Sequence, residues 1–592
     1  MIMLADWHPD IIEFIISKMQ NPRILRFIIE NTEDEQIREL AQNKLKFTPF
    51  TEEEEADIRA AMKVYALKDD LENERRLESL LADGGRYSVH NPEFLSGANI
   101  SVCITKEFME AVENNGDYTL RFPDVENYSE AEMRHYNEYW HEIGDVREWE
   151  LPVKTYRTIK ARELWNLINI CATYSAEPGI FFIDNANDDT NAQAYDQKVV
   201  ATNPCGEQPL APYSVCNLAA VNLANMVDKR NKTVDFDKLR KTVAVGTRMQ
   251  DNVIDATPYF LEENEKQALG ERRIGLGVMG LADMLIYCEK KYGTDEANAL
   301  VDKVFETIAT TAYRTSIELA KEKGSFPYLT GEDEAARRSE FVRTGFMRKI
   351  FTLSPISASI SSRTGEMPED IRYGVLEHGI RNSHLLTVAP TGSTGTMVGV
   401  ATGLEPYFAF KYYRSGRLGK FMEVNAGIVD EYLANNPDAD PNNLPDFFVS
   451  SMDLSPEAHA DVQNVIQRWV DSSISKTVNA PKGYAVDQVQ AVYERLYRGG
   501  AKGGTVYVDG SRDAQVLSLT AEENDETEAK SNEKEDAIIP YAQETIQDVK
   551  STNVTYGNEV GDKCPVCREG DVIEAGGCNS CTHCGAQLKC GL

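Results

Sequence analysis

A loop near the middle of the chain combines an amide, a thiol and a carboxylate with a second thiol. Asn203, Cys205 and Glu207 occupy alternate positions, and Cys216 follows eleven residues after Cys205. In an extended segment, alternate side chains point the same way, so the first three would face one spot. A rigid loop rather than a helix is predicted here by four flanking residues, Pro204, Gly206, Pro209 and Pro212.

The carboxylate limits what the neighbouring thiol can do. A nearby negative charge raises the pKa of a thiol, which makes Cys205 a poor ordinary nucleophile. The pattern suits chemistry in which the sulfur stays neutral and gives or takes a hydrogen atom, while Glu207 moves a proton. The alternative is that Cys205 and Cys216 are buried core cysteines without a chemical role.

A second candidate site is a loop of small and hydroxyl residues that follows a predicted strand at 385–388. Glycines let the backbone approach a ligand closely, and successive backbone N–H groups can bind a phosphate without a positive side chain. The candidate substrate-binding residues are Pro390, Thr391, Gly392, Ser393, Thr394 and Gly395. An ordinary turn is the alternative.

Glycines also recur in residues 272–283, where Gly275, Gly277 and Gly280 superficially match a dinucleotide-binding turn. An isolated match of this kind is weak evidence. Close packing of a strand or helix explains the glycines as well, and we predict packing.

Six of the eleven cysteines lie in the last 29 residues, where Cys-x-x-Cys pairs predict a zinc site. Four thiolates suffice for tetrahedral Zn²⁺, and metal binding would supply folding energy to a unit with little core of its own. The predicted ligands are Cys564, Cys567, Cys581 and Cys584, which leaves Cys578 and Cys590. His583 is predicted to be a bystander.

The elements that must position these residues belong to a large α/β protein. The chain has 592 residues, and predicted strands such as 179–183 alternate with helices such as 165–174. This alternation favours an α/β barrel over a sandwich. We predict a catalytic barrel at 1–518, an acidic flexible linker at 519–562 and a cysteine-rich tail at 563–592.

Charge and hydropathy exclude several classes of protein. The net charge of −33 disfavours binding to nucleic acid or to anionic membranes. The sequence contains no run of about 18 apolar residues, so no membrane span is predicted. The first residues lack the basic flank of a signal peptide. We therefore predict a cytoplasmic protein whose cysteines serve metal or redox chemistry rather than structural disulfides.

Several long stretches, in order along the chain, resemble the ribonucleotide reductases, the enzymes that make deoxyribonucleotides. The resemblance is to their adenosylcobalamin-dependent class II branch, and the stretches are 203–216, 272–283, 389–398, 403–408, 412–417 and 506–512. It implies a ten-stranded α/β barrel, followed by a small zinc-ribbon-like domain. It also implies a ribonucleotide substrate, here a diphosphate, with adenosylcobalamin and Zn²⁺ as cofactors.

The resemblance also implies roles for the candidate residues. A thiyl radical on Cys205 removes the 3′ hydrogen of the ribose, Glu207 acts as base on the 3′ hydroxyl, and Asn203 orients the sugar hydroxyls. Cys216 is one member of the thiol pair that reduces the substrate, and the loop at 390–395 binds its phosphate. The tail cysteines Cys578 and Cys590 pass electrons from a thioredoxin or glutaredoxin-like reductant to that pair; a purely structural zinc ribbon is the alternative.

One departure from the family concerns the second reducing cysteine. In the family it lies on an early barrel strand, and residues 4–14 here resemble an interior segment of the family rather than its beginning. The early strands are thus predicted to be missing, and the chain to be the C-terminal part of a split or truncated reductase. Its predicted partners are an N-terminal half encoded upstream and further subunits of an oligomer. Cys103 is interpreted as a core cysteine.

Two other functions stay open. One is the large subunit of a class I ribonucleotide reductase, which receives its radical from a partner protein; the adjacent Tyr412 and Tyr413 would suit a radical relay but are interpreted as structural. The other is a non-catalytic half-barrel that assembles with a partner chain. The intact Asn203, Cys205 and Glu207 argue against a degenerate scaffold.

Overall fold

The computed structural model describes most of the chain between residues 1 and 509 and part of the tail. The described residues are 1–67, 71–91, 98–348, 351–352, 364–365, 367–414, 422–509, 511, 572–575, 578–582 and 587–590. They form two compact units. The first comprises Met1–Thr48 and Tyr87–Ala521, and the second comprises Pro49–Arg86 and Glu522–Leu592.

Parallel strands organise the first unit. One sheet has the order Ile2–Ala5, Ile100–Ile104, Gly179–Phe182, Gly503–Val508 and Thr477–Ala480. The first three strands are mutually parallel, Gly503–Val508 runs antiparallel to Gly179–Phe182, and the last two are again parallel.

The order of strands continues beyond Thr477–Ala480. Ile474, just before that strand, bridges to Val388, and Leu386 bridges to Leu276 in the strand Gly275–Met279. Gly275–Met279 pairs in parallel with Leu218–Asn222. The predicted strand at 385–388 is therefore present as two bridged residues, Leu386 and Val388.

The resulting order contains eight segments and is open. Among the described residues, no strand pairs with the outer side of Ile2–Ala5 or of Leu218–Asn222. The predicted mixed α/β architecture is confirmed. The described residues do not form the predicted closed barrel of ten strands. Their strand order contains eight segments.

Helices cover one face of these strands and bury it in two apolar clusters. Val278 and Val388 belong to the first cluster, while Val102, Phe182 and Val506 belong to the second. The helices of the first unit are Ile11–Ser17, Pro22–Asn31, Glu35–Lys44, Lys106–Glu113, Glu130–Ile143, Ala161–Ser175, Ile183–Asp188, Phe236–Ala256, Glu262–Glu271, Leu281–Tyr287, Asp295–Lys323, Glu334–Arg343, Gly345–Arg348, Glu369–His378, Gly392–Val398, Gly427–Asn435, Pro456–Gln467 and Val486–Arg498. Three 3₁₀ turns add Asn191–Tyr195, Leu223–Met226 and Pro327–Leu329.

Local sequence signals account for many boundaries. The hydroxyl of Thr105 accepts a hydrogen bond from the backbone N–H of Phe108, which caps the helix Lys106–Glu113. The first unit also contains short antiparallel strand pairs: Asp117–Pro123 with Val153–Lys160, Ala201–Thr202 with Pro209–Leu210, Val227–Asp228 with Thr233–Val234, Phe351–Thr352 with Thr364–Gly365, and Lys411–Arg414 with Met422–Asn425. Two further strands are Leu45–Pro49 and Gly85–Val89.

The second unit contains a helix pair and three tail strands. Helices Glu52–Leu67 and Leu71–Asp83 bury Ile58 and Leu77 between them. The tail strands Val572–Ala575, Cys578–Cys581 and Gln587–Cys590 form an antiparallel sheet. The predicted linker at 519–562 lies outside the described residues. No helix among the described residues is long and apolar enough to cross a membrane.

Candidate active site

The loop with the two thiols begins in a tight turn between the short strands Ala201–Thr202 and Pro209–Leu210. The Asn203 N–H donates to the backbone oxygen of Gln208 (3.2 Å), and the Gln208 N–H donates to the Asn203 side-chain oxygen (3.0 Å). Gly206 sits in the turn at φ +81°, a conformation that glycine adopts without strain. The side-chain oxygen of Asn203 thus stabilises the turn that carries Cys205.

This geometry corrects one step of the sequence argument. The segment from Asn203 to Glu207 is a turn and not an extended strand, so its side chains do not alternate across a sheet. Cys205 is exposed, whereas Glu207 is buried at 1% exposure. The amide, thiol and carboxylate are neighbours because the chain folds back on itself.

Contacts from distant strands hold the loop against the strand face opposite the helices. The backbone oxygen of Glu207 accepts a hydrogen bond from the Thr387 hydroxyl (2.6 Å) and another from the Ser473 N–H (2.9 Å). The backbone oxygen of Pro209 accepts one from the guanidinium of Arg273 (3.1 Å). Three separate strand segments therefore fix the position of Glu207 and its neighbours.

Glycines make room for this loop, as the packing interpretation predicts. A β-carbon on Gly275 would lie 2.4 Å from the side-chain nitrogen of Gln208. One on Gly277 would lie 2.4 Å from the backbone oxygen of Thr387. These distances are shorter than any van der Waals contact, so the two glycines permit the close approach of the loop and of the neighbouring strand.

The Glu207 carboxylate is buried and only partly hydrogen-bonded. One of its oxygens, Oε2, has no hydrogen-bond partner among the described residues. Burial raises the pKa of Glu207, and a hydrogen bond from the Asn203 side chain offsets part of that rise. An unpaired oxygen on a buried carboxylate is unfavourable unless a ligand or a proton satisfies it.

Both thiols are held in the protonated form. Burial and the Glu207 charge raise the pKa of Cys205. The same two causes, in the same order, raise the pKa of Cys216 to about 11, with Arg273 acting in the opposite direction. The site therefore offers two S–H groups, and the negative charge of Glu207 acts on both of them.

Arg273, Thr387 and Ser473 were not among the sequence candidates. Arg273 is buried at 3% exposure and pairs with the buried Glu271 (3.3 Å). A usable signal was present for the arginine, because two adjacent arginines directly before an apolar strand must find buried partners. No local signal identifies Thr387 or Ser473, since their loop contacts join segments far apart in the sequence.

The candidate phosphate loop starts close to this site. Thr387, which contacts Glu207, precedes Pro390 in the same segment. Thr391 has a left-handed backbone conformation (φ 51°), and its hydroxyl accepts a hydrogen bond from the Gly403 N–H (2.7 Å). The helix Gly392–Val398 follows, with Gly392, Ser393 and Thr394 exposed at its first turn.

Three of the four predicted zinc ligands in the tail lie outside the described residues. Cys564, Cys567 and Cys584 lie outside the described residues, while Cys581 ends the strand Cys578–Cys581. In the backbone register, Cys578 stands directly opposite Cys590 on the neighbouring antiparallel strand. The residues that the structure describes contain no group of three or more histidine, cysteine or acidic side chains that could hold a metal ion.

Comparison with known proteins decides the family. The family described as "Ribonucleotide reductase, barrel domain" matches residues 1–507. The chain belongs to the ribonucleotide reductase family. The resemblance found in the sequence is thereby confirmed.

Curated relatives of this chain include proteins with different names. The "Vitamin B12-dependent ribonucleoside-diphosphate reductase" of Thermoplasma acidophilum is 31% identical over 74% of the chain and 50% of its own length. The Mycobacterium tuberculosis protein of the same name is 31% identical over 73% of the chain and 54% of its own length. The "Ribonucleoside-diphosphate reductase large chain" of Cryptosporidium parvum is 32% identical over 55% of the chain and 39% of its own length. The chain thus spans about half the length of the vitamin B12-dependent relatives it matches.

Proposed function

We propose that this chain carries the substrate-reducing site of an adenosylcobalamin-dependent ribonucleoside-diphosphate reductase that makes precursors for DNA synthesis. The observation that carries the proposal is the pair of protonated thiols beside a buried carboxylate with one unpaired oxygen. The vitamin B12-dependent names of the relatives at 31% identity support the cofactor and the diphosphate substrate.

The residues present fit a reaction started by hydrogen-atom removal. Adenosylcobalamin, when bound, supplies the radical that takes a hydrogen atom from a thiol. Cys205 suits this step because the residue is exposed and its raised pKa favours the protonated thiol at neutral pH. The resulting thiyl radical on Cys205 then takes the 3′ hydrogen atom of the ribose.

Glu207 and Asn203 would act on the sugar hydroxyls. The Glu207 carboxylate takes the proton of the 3′ hydroxyl, and its unpaired Oε2 is available for that bond. The Asn203 amide lies on the same turn as Glu207, whose pKa it lowers, and it would orient the same hydroxyl. Both groups sit on a turn that is anchored by three other segments, as precise positioning requires.

A thiol pair balances the reduction. The 2′ hydroxyl leaves as water, two thiols supply two hydrogen atoms in total, and they become one disulfide. Cys216 is one of these thiols in the proposal. The other is supplied by a segment outside this sequence, because Cys103 is buried within the sheet, where burial and Asp6 raise its pKa to about 12.

The segment Pro390–Gly395 is the proposed phosphate site; from Gly392 onward it is the start of a helix and not the predicted loop. Its first-turn residues are exposed beside a backbone with left-handed Thr391, and the strand residue Thr387 links the same segment to Glu207. Backbone donors at such a loop suit a diphosphate in a chain whose net charge is −33, because they need no surrounding positive field.

The tail is the proposed metal and redox module. Cys564, Cys567, Cys581 and Cys584 would hold Zn²⁺, and Cys578 with Cys590 would return electrons from a thioredoxin or glutaredoxin-like reductant. The backbone register that sets Cys578 opposite Cys590 supports this division. The proposal places the enzyme in the cytoplasm, where such reductants keep thiols reduced, as part of an oligomer with an N-terminal half encoded upstream.

The decisive experiment measures deoxynucleotide formation from a ribonucleoside diphosphate with adenosylcobalamin and a dithiol. The chain is assayed alone and mixed with the product of the reading frame just upstream, with Cys205→Ser as the inactive control. Product that requires adenosylcobalamin and Cys205 supports the proposal. Product that forms without cobalamin but needs a separate radical-generating protein would instead identify a class I large subunit. This alternative is tested because the Cryptosporidium parvum relative is named as a large chain.

A further inference from the structure

The buried carboxylate of Asp283 joins two segments that are far apart in the sequence. Asp283 is 1% exposed and lies in the first turn of the helix Leu281–Tyr287. One carboxylate oxygen accepts a hydrogen bond from the Ala401 backbone N–H (2.7 Å), and the other accepts one from the Tyr407 hydroxyl (2.6 Å). Both oxygens of this side chain therefore hold the segment that follows the proposed phosphate site.

A backbone contact strengthens this link. The Gly280 N–H donates to the backbone oxygen of Ala401 (2.8 Å), so Ala401 is held through both its N–H and its C=O. Loss of either hydrogen bond to Asp283 would leave a buried oxygen of a charged group without that partner, which is costly. The carboxylate therefore keeps the backbone at Ala401 in one place.

The held segment turns back onto the proposed phosphate site. The Gly403 N–H donates to the Thr391 hydroxyl (2.7 Å), and the Val400 N–H donates to the backbone oxygen of Gly395 (3.0 Å). These two contacts support the segment Pro390–Gly395 near its start and at its end. The position of the proposed phosphate site thus depends on the residues that Asp283 holds.

The helix that carries this carboxylate follows the strand Gly275–Met279 after one residue. At the start of that strand, Gly275 lies so close to Gln208 that a β-carbon on the glycine would be 2.4 Å from the glutamine side chain. Gln208 belongs to the loop that carries Cys205. The same strand therefore contacts the thiol loop at its start and leads into the Asp283 helix at its end.

We infer that Asp283 is a positioning residue for the diphosphate of the substrate. It acts through the segment 400–407, which it fixes against Pro390–Gly395, so that the backbone donors of the phosphate site keep one orientation relative to Cys205 and Glu207. An arrangement that is fixed before binding lowers the cost of binding the diphosphate and of aligning the ribose. The inference rests on the proposed function in taking Pro390–Gly395 to bind the diphosphate.

Asp6 provides a matched control within the same chain. It is 0% exposed, and its oxygens also accept hydrogen bonds from a backbone N–H (Thr105, 2.6 Å) and from a tyrosine hydroxyl (Tyr118, 2.8 Å). The two carboxylates therefore have the same burial and the same kinds of partner, and they differ in the segment that they hold.

Hydrogen–deuterium exchange of the full chain tests the inference. In the unsubstituted protein, a ribonucleoside diphosphate should slow the exchange of backbone N–H groups at 391–396, and its concentration at half-maximal protection is measured. Asp283→Ala should raise this concentration about tenfold, because hydrogen bonds to a charged group contribute on that order. Asp283→Asn should restore most of the affinity, since its oxygen can accept from Ala401 and its amide can donate to the Tyr407 oxygen. Asp6→Ala should leave the concentration unchanged.

Tyr407→Phe keeps the inference testable should Asp283→Ala fail to fold. It removes one hydroxyl and should raise the half-protecting concentration about threefold, whereas Tyr118→Phe should not change it. Full affinity in the folded Asp283 and Tyr407 variants, or an equal loss in the Asp6 and Tyr118 controls, would overturn the inference and leave the phosphate site standing.

The same measurement separates the inference from the proposed function. Absence of protection at 391–396 in the unsubstituted chain would overturn the proposed phosphate site, and the inference with it. Protection that depends on Asp283 supports both. The exchange readout does not require reductase activity, so the thiol chemistry is tested separately by the Cys205→Ser assay.

Discussion

Glu207 is the residue in which burial and chemistry conflict most directly. It is buried, one of its oxygens lacks a partner among the described residues, and burial raises its pKa. A structural carboxylate in this position would be a net cost to stability. We attribute its retention to proton transfer, for which a raised carboxyl pKa and a fixed geometry are both useful.

The pH dependence of turnover follows from these shifts. The proposed base must be ionised, so activity should rise with pH through the pKa of Glu207, above the ordinary 4.5. The raised thiol pKa values keep Cys205 and Cys216 protonated well into the alkaline range. We expect a broad optimum between these limits, measured as kcat against pH.

Replacing the carboxylate isolates its role. Glu207→Gln should lower kcat on the order of 10²- to 10⁴-fold, the usual contribution of a positioned base. The acidic limb of the pH profile should disappear in this variant. Retention of that limb would show that another group controls it.

At the scale of elements, the loop depends on strands far from it in the sequence. Thr387 is 180 residues from Glu207 and donates its hydroxyl proton to the Glu207 backbone oxygen at 2.6 Å. The Ser473 N–H donates to the same oxygen. These two segments therefore anchor the turn through hydrogen bonds to its backbone.

Thr387→Val tests this anchoring of the turn. The substitution keeps the side-chain volume and removes one buried hydrogen bond, so the free energy of unfolding should fall by about 1 kcal/mol. Because the turn would lose one of its anchors, kcat should fall while KM changes little. Thr387→Ser, which keeps the hydroxyl, should restore both quantities. Urea denaturation and steady-state kinetics measure them.

Gly277 offers a second test at this scale. A β-carbon there would meet the backbone oxygen of Thr387 at 2.4 Å, and backbone cannot move aside as a side chain can. Gly277→Ala should destabilise the fold by about 1–3 kcal/mol, the range for overpacked cores. Gly427→Ala is the control because no atom lies within 4 Å of its would-be β-carbon. Equal melting temperatures of the two variants would contradict the packing explanation.

At the scale of the whole molecule, the chain combines a large strand-and-helix unit with a second unit that includes the cysteine-rich tail. In the proposal, the first unit holds the substrate chemistry and the tail supplies electrons. Separate units suit this division because the proposed metal ligands and the redox cysteines can be altered without disturbing the buried clusters of the first unit.

Paired substitutions in the tail separate its two proposed roles. Cys564→Ser with Cys567→Ser should remove about one equivalent of zinc, since four thiolates hold one ion. Cys578→Ser with Cys590→Ser should keep the zinc. That variant should lose turnover supported by thioredoxin but keep turnover supported by dithiothreitol. Metal analysis and the two assays measure these outcomes, and loss of zinc from both pairs would contradict the division.

The sequence by itself determined the family and led to the proposed chemistry. Asn203, Cys205, Glu207 and Cys216 are close in the chain, so their types and spacing could be interpreted without a fold. The Thr105 cap depends on neighbours within one turn, and the packing role of Gly277 was inferred from residue type alone. The strand at 385–388 was found through its apolar run, although only two of its residues form bridges.

Only the tertiary structure decided how the site is held and where the strand order is open. Thr387, Ser473 and Arg273 reach the loop from separate segments, and no local pattern encodes such contacts. The turn at Asn203 replaced the expected extended segment because a side chain–backbone hydrogen bond to Gln208 folds the chain back. The open edge at Leu218–Asn222 is found only when every described strand has been given its partner, because strand pairing is a property of the assembled fold.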